Sequence, residues 1–518
     1  MMYLAVCATA NIRGVPRGGL ARTKGVKKMA SSDANTTESD EEVGQSTAKG
    51  RRLAVRTLDN EVQNRQLTVE GEIPTWLEGS LLRTGPTKFE AGDRDLRHWF
   101  DGLAMLHAFA IADGEVKYSN KYLETNAYTH VESEDELGYS EFATDPCRDL
   151  FERFFSRFSP NLTDNANVNI SKQAEAFVSM TETPMPVEFD PETLETVGVA
   201  EYDDDIDGSL TTAHPHHDEG NTYNYVTKLS KTSSYKVYRM PDGTREREVI
   251  ASIDRDRPAY MHSFGLTENY VVLAEFPFVV NPLEMLVRDR PFIENYRWKP
   301  GRGTRFVLID RETGEVVADP VAEPFFAFHH VNAFEDDDGT VVVDIVAYDD
   351  ASLIDSLYLD EIRSDEFGIE GGKLRRYRVS DDGVESERLS DVPMELPRIN
   401  YSECNSREYR YSYGVGNKQP QPKDLPNRLV KVDVEERETT VWEEPETYPG
   451  EPVFVAAPDA EAEDDGVILS VVLDTDAERS FLVVLDASDF TELGRAAVEH
   501  HIPLGFHGNW YTTHQKNQ

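Results

Sequence analysis

From about Leu53 to the end of the chain, short apolar runs alternate with polar positions and stop at turn signals, again and again. Tyr270 to Phe278, Thr340 to Val346, Gly466 to Leu473 and Phe481 to Leu485 each read as a strand, because β-branched and aromatic residues at a period of two suit a pleated, half-buried surface. A similar phrase closes several of these runs, at Phe189-Asp190-Pro191-Glu192-Thr193, Ile309-Asp310-Arg311-Glu312-Thr313-Gly314 and Leu485-Asp486-Ala487-Ser488-Asp489. Hairpin follows hairpin with no convincing βαβ alternation, which speaks against a parallel α/β sheet. Two all-β architectures remain: a propeller, whose radial blades leave few exposed edges, or several packed β-sandwiches.

One segment departs from this pattern. Cys147, Leu150, Phe151, Phe154, Phe155 and Phe158 fall at offsets of 0, 3, 4, 7, 8 and 11, which draws one apolar face on a helix. Arg148, Arg153 and Arg157 outnumber Asp149 and Glu152 there. Such a helix either packs on the sheets or lies in the interface of an anionic membrane. A second apolar group, Leu283, Met285, Leu286 and Val287, follows Pro282 and could extend the same surface.

Charge narrows the function classes. With 96 Asp and Glu against 53 Lys and Arg the formal net charge is −43, which excludes nucleic acid as a default partner. Arg outnumbers Lys 36 to 17, and the acidic excess predicts a chain adapted to high salt. Hydrophobic residues at 39%, with 24 Phe and 22 Tyr, supply a sizeable core. Three cysteines, Cys7, Cys147 and Cys404, make neither a disulfide scaffold nor a C-x-x-C metal motif, so a reducing compartment is expected. No apolar run reaches the roughly 20 residues that a spanning helix needs. The expected location is the cytoplasm, peripheral on the inner face of the cell membrane if the helix at 147–158 touches lipid.

Residues 1–28 hold six basic residues and no acid, against the trend of the rest, and Met1 to Ala10 lacks the basic region of a signal peptide. The expectation is a start upstream of the true one, with Met29 the first residue, or a targeting arm. Residues 29–49 are Ser, Thr, Asp and Glu with little to bury, so residues 1–50 are expected to form a disordered tail and 51–518 a single domain.

Four histidine phrases stand apart: Ala213-His214-Pro215-His216, Tyr260-Met261-His262-Ser263-Phe264, Phe328-His329-His330-Val331-Asn332 and Phe506-His507-Gly508. No local metal motif spans them, but ligands on separate propeller blades can converge near the axis. With Gly71-Glu72-Ile73-Pro74, Arg83-Thr84-Gly85-Pro86, His98-Trp99-Phe100-Asp101-Gly102 and Tyr448-Pro449-Gly450-Glu451-Pro452, all in order, the chain from about Gly71 to His507 resembles the carotenoid cleavage oxygenases, above all their animal-type branch.

That resemblance implies a seven-bladed β-propeller with a helical cap and a ferrous ion held by His214, His262, His329 and His507. His216, His217 and His330 are then bystanders. By the same resemblance Glu182, Glu395 and Glu451 hold His262, His329 and His507. Asp145-Pro146-Cys147-Arg148 is similar to a signature at the branch's membrane-facing tunnel mouth, which favours lipid contact for Cys147 to Phe158. The implied activity is oxygen-dependent cleavage of a carotenoid taken from a membrane surface, with β-carotene cut at its central double bond to two retinals; the acidic excess adds the expectation of a haloarchaeal source using that retinal. Eccentric cleavage of a carotenoid or apocarotenoid, stilbene cleavage and retinyl ester isomerohydrolysis are the rivals within the family. An inactive carotenoid carrier or interaction module is the rival outside it, and the full set of four histidines and three glutamates argues against that rival.

Overall fold

A computed structural model describes residues 47–146, 162–285, 288 and 290–513. Seven antiparallel sheets follow one another along the chain and form the seven blades of a β-propeller. Numbered in chain order, blade 1 is built around Gly79–Lys88, Leu103–Ala112 and Glu115–Tyr122, and blade 2 around Asn169–Gln173 and Ala176–Met180. Blades 3 to 7 are centred on Asn221–Lys228, Tyr270–Glu275, Val341–Ala347, Tyr411–Gly416 and Gly466–Asp474. Both ends of the chain close the ring. Gly508–Thr512 pairs with Gly79–Lys88 as the inner strand of blade 1, and Thr68–Gly71 pairs with Glu492–Ala497 at the outer edge of blade 7. Closure buries the faces of blades 1 and 7 that an open row of sheets would expose.

The repeated Asp phrase now has a physical role. Asp190 Oδ1 accepts from the backbone N–H of Glu192 and Thr193, Asp310 Oδ1 from Glu312 and Thr313, and Asp486 Oδ1 from Ser488. These are Asx turns that reverse the chain into the next strand outward in a blade. Each ends on a left-handed residue, Leu194, Gly314 or Phe490. At Gly314 a Cβ would stand 2.0 Å from the Ile250 carbonyl oxygen of the neighbouring blade, so only glycine fits that turn.

Apolar side chains pack between neighbouring blades, leaving the axis free for polar groups. Leu81, Phe109 and Tyr118 of blade 1 meet Leu469, Leu482 and Val484 of blade 7, and Tyr225 and Tyr235 of blade 3 meet Leu273 and Val307 of blade 4. Short helices pack against the sheets in one place: residues 47–54, Asn126–Glu134 and Leu359–Ile362 share one apolar cluster with Phe89, Leu96 and the blade 1 strand residue Leu103.

The tail expected over residues 1–50 therefore runs too far. Residues 47–50 are helical, Ala48 is buried, and the next residue, Arg51, is 1% exposed. Its guanidinium donates to the carbonyls of Ile362, Ser364 and Lys423, which satisfies a charge that a polar-looking sequence places at a surface. The stretch Cys147, Leu150, Phe151, Phe154, Phe155 and Phe158 lies outside the described residues, as do Leu286 and Val287. Leu283 beside them is exposed, and Met285 packs on the large cluster around blades 4 and 5. Among the described residues no helix is long and apolar enough to cross a membrane.

Candidate metal centre

Inner strands bring side chains to the propeller axis, and residues just before their starts can meet there. His214 lies between the two short inner pieces of blade 3, Leu210–Thr211 and His216–Asp218. His262 precedes Gly265–Leu266 of blade 4, His329 abuts His330–Glu335 of blade 5, and His507 abuts Gly508–Thr512 of blade 1. One nitrogen from each imidazole lies within 4.8 Å of the others. His214 Nε2 and His262 Nε2 are 3.0 Å apart, and His329 Nε2 and His507 Nε2 are 3.1 Å apart.

The other blades supply carboxylates. Glu182, in the connection between the second and third strands of blade 2, has Oε1 2.7 Å from His262 Nδ1. Glu395, on the inner strand Met394–Arg398 of blade 6, has Oε2 2.5 Å from His329 Nδ1. Glu451, before the inner strand Val453–Ala456 of blade 7, has Oε1 2.7 Å from His507 Nδ1. His214 has no such carboxylate among the described residues; its backbone N–H donates to Thr212 Oγ1, whose hydroxyl donates to the His262 carbonyl.

Burial drives the titration of these groups. It holds His214 well below the usual histidine range, with the three neighbouring imidazoles adding to the effect. Burial also lowers His262, partly offset by Glu182, and brings His507 to about 4 despite Glu451. For the acids burial works upward but loses. The His329 contact, the Leu396 N–H and the Tyr348 hydroxyl keep Glu395 below the ordinary glutamate range, and Arg398 with His507 brings Glu451 down to about 2. Each glutamate sits against the Nδ1 of its ring, which turns Nε2 toward the axis.

A cavity opens against this cluster. His262, His329 and His507 form one part of its wall, and Trp99, Phe100, Phe328, Leu353, Leu357 and Phe506 contribute apolar surface. Trp99 and Phe100 are presented by a single 3-10 turn, Trp99–Asp101, closed by a reciprocal cap: His98 Nδ1 accepts from the Phe100 N–H, and Asp101 Oδ2 accepts from the His98 N–H. Asp101 also accepts from the Ala143 N–H and the Thr144 hydroxyl, and His98 Nε2 donates to the Ile354 carbonyl. The phrase His98-Trp99-Phe100-Asp101-Gly102 therefore ties the cavity wall to the segments around 143 and 354.

Comparison with known proteins agrees with this arrangement. Residues 55–512 match the family model described as retinal pigment epithelial membrane protein. The chain belongs to the carotenoid cleavage oxygenase family. Within it, the chain is 36% identical to the mitochondrial carotenoid-cleaving dioxygenase of Mustela putorius furo, over 88% of this chain and 95% of that protein. It is 36% identical to the beta,beta-carotene 15,15'-dioxygenase of Rattus norvegicus, over 88% and 90% of the two chains. Among family structures, cobalt-substituted apocarotenoid oxygenase of Synechocystis superposes with a TM-score of 0.81 at 26% identity, covering 90% of this chain and 99% of that one.

The family is metal-dependent, and the donor set here suits a metal ion. Two nitrogens bound at about 2.1 Å to one ion at a right angle lie about 3.0 Å apart, the separation seen in both close imidazole pairs. Three buried rings and the half-buried His214 bring one nitrogen each to a single point, where a metal ion would be their shared partner. The remaining histidines of the four phrases engage elsewhere: His216 contacts the Tyr401 hydroxyl and the Phe264 carbonyl, His217 contacts Thr222 and Ser171, and His330 Nδ1 contacts Ser263 Oγ.

Several members of the site are not singled out by the sequence reading. The Tyr260 and Tyr348 hydroxyls donate to Glu182 and Glu395, and Arg398 stands against Glu451. Tyr260, Phe328 and Phe506 fall inside the histidine phrases, which is the one signal that pointed to them. Tyr348 and Arg398 have none.

Proposed function

We propose that this chain is a ferrous-iron dioxygenase that cleaves β-carotene at its central double bond to give two molecules of retinal. The observation that carries this reading is the meeting of four imidazole nitrogens from four blades, with three of the rings in the wall of an apolar cavity. The names of relatives about 35% identical to the chain support the substrate and the bond. Ferrous iron held by His214, His262, His329 and His507 would supply the activation of dioxygen, since four neutral ligands leave its positive charge uncompensated.

The chain's own residues prepare the rest. Glu182, Glu395 and Glu451 fix the tautomer and direction of three rings, so the ion site is formed before substrate arrives. The walls around Trp99, Phe100, Phe328 and Phe506 offer flat apolar surface to a polyene and keep water from the reacting bond. Scission of one C=C with one oxygen atom entering each half yields two aldehydes, and the substrate itself provides the electrons, so no reductant or nucleotide site is needed. We further infer that the apolar residues of the segment 147–158 help the protein take substrate from a membrane surface. Cleavage of a shorter, apocarotenoid substrate is the second reading, favoured by the likeness to apocarotenoid oxygenase structures.

Anaerobic purification with metal analysis, followed by a carotenoid bleaching assay, tests the reading. About one iron per chain and bleaching that requires both iron and dioxygen are expected. Bleaching by iron-free protein, or without dioxygen, would contradict it.

A further inference from the structure

In a regular strand, residues three apart face opposite sides. Glu395 and Arg398 share the inner strand of blade 6 at that spacing, yet both face the metal centre. The register between this strand and its neighbour breaks between the two residues, Leu396 sits in the left-handed region with φ 49°, and Pro397 offers no N–H to the ladder. This is a bulge, the device by which a strand re-aims a side chain beside a site. It costs a strained leucine, so what it aims is informative.

Arg398 Nε lies 3.2 Å from Glu451 Oε1, the same oxygen that accepts from His507 Nδ1. Its Nη2 donates to Asn509 Oδ1 at 2.7 Å and to the Gly508 carbonyl. Every one of these contacts falls on the His507 arm: the carboxylate behind the ring and the two residues after it. The Gly508 N–H returns to Glu451 Oε2 at 2.9 Å, so both carboxylate oxygens are engaged and the arm is closed into a small network. The other two glutamates differ. Glu182 and Glu395 take their extra donor from the neutral hydroxyls of Tyr260 and Tyr348.

We propose that Arg398 is a positioning residue that acts through Glu451 to hold His507 in place for the metal, an inference that rests on the metal reading above. The planar guanidinium fork matches three acceptors at once, which a point charge does not. Through the bulge, one strand sets two neighbouring ligand arms: Glu395 holds His329 directly, and Arg398 holds His507 through Glu451. A change at the bulge would therefore loosen both arms together.

The test is a double-mutant cycle on metal affinity, with cobalt(II) as the probe and its visible absorption as the readout, on the full-length metal-free protein. Arg398→Gln should weaken cobalt binding about 10-fold, at the lower end of the scale for groups that orient metal ligands. Arg398→Lys should fall between Arg398→Gln and wild type, because it restores a charge beside Glu451 but not the fork. The loss from Arg398→Gln should vanish in a Glu451→Gln background and multiply in full with Glu182→Gln, which acts on another arm.

Wild-type affinity in Arg398→Gln, or losses that multiply with Glu451→Gln, would overturn the proposal. Failure of the metal reading looks different. Wild-type protein would then bind no stoichiometric cobalt and Glu182→Gln would change nothing, and the inference would fall with it.

Discussion

Replacing His214, His262, His329 or His507 singly by Ala removes one of four inward nitrogens and leaves the rest of the fold's contacts in place. Each variant should lose retained iron and activity. His216→Ala, His217→Ala and His330→Ala should keep iron, since these rings bond to Tyr401, Thr222 and Ser263. Glu182→Gln, Glu395→Gln and Glu451→Gln should each lower activity about 10- to 100-fold without unfolding the protein. Metal content and turnover on the same preparations check all of these, and full activity in His262→Ala would sink the site. The sequence made these residues legible because each sits in a short phrase with its own neighbours. Arg398 is illegible for a definite reason: period-two reasoning places it on the opposite face from Glu395, and only the bulge reverses that.

Titration at single residues also sets how the fold responds to acid. Burial holds His98 and His107 near 3 and His507 near 4, and lowers His214 and His262, whereas the unfolded chain titrates near 6.5. Burial acts in the opposite sense on Asp101, raised to about 6, and Glu141, raised to about 8. Between pH 6.5 and 4.5 the unfolded chain gains protons at His98, His107 and His507, which the fold keeps neutral, with His214 and His262 shifted in the same direction, while the fold holds extra protons at two acids. Unfolding is therefore favoured as pH falls through that window. Melting temperatures of the metal-free protein from pH 7 to pH 4.5 should decline; a flat or rising series would contradict the burial of these rings.

At the scale of elements, strands were the most readable feature, because alternation and the Asx turns are local signals. Tyr270–Glu275, Val341–Ala347, Gly466–Asp474 and Arg479–Asp486 fall where alternation put them. The helix at 47–54 was missed because its buried arginine looks like any surface arginine until the carbonyls of Ile362, Ser364 and Lys423 surround it. The apolar stripe from Cys147 to Phe158 carries its own prediction. Apolar residues that meet lipid should lose that contact when charged, so Phe154→Asp together with Phe158→Asp should shift the protein from liposomes to the supernatant in flotation assays and slow uptake of membrane-dissolved substrate. Unchanged partition and uptake would make the stripe an ordinary packing face.

Over the whole molecule, a net charge of −43 repels itself, and added salt screens that repulsion. The melting temperature should rise from low to molar salt, measured without substrate so that binding does not contribute; a flat or falling series would contradict adaptation to high salt. The ring itself was legible as a run of hairpins and its count of seven through the family resemblance, but its closure by Gly508–Thr512 was not, since pairing between chain ends leaves no local trace. The bond that is cut is likewise a property of the whole cavity, set by how far a polyene reaches past the four histidines. The most direct measurement is chromatography and mass analysis of the products from β-carotene under labelled dioxygen. Retinal alone, two per β-carotene and each with one labelled oxygen, is the expected result; paired apocarotenals of unequal length, or products without label, would contradict central cleavage by a dioxygenase.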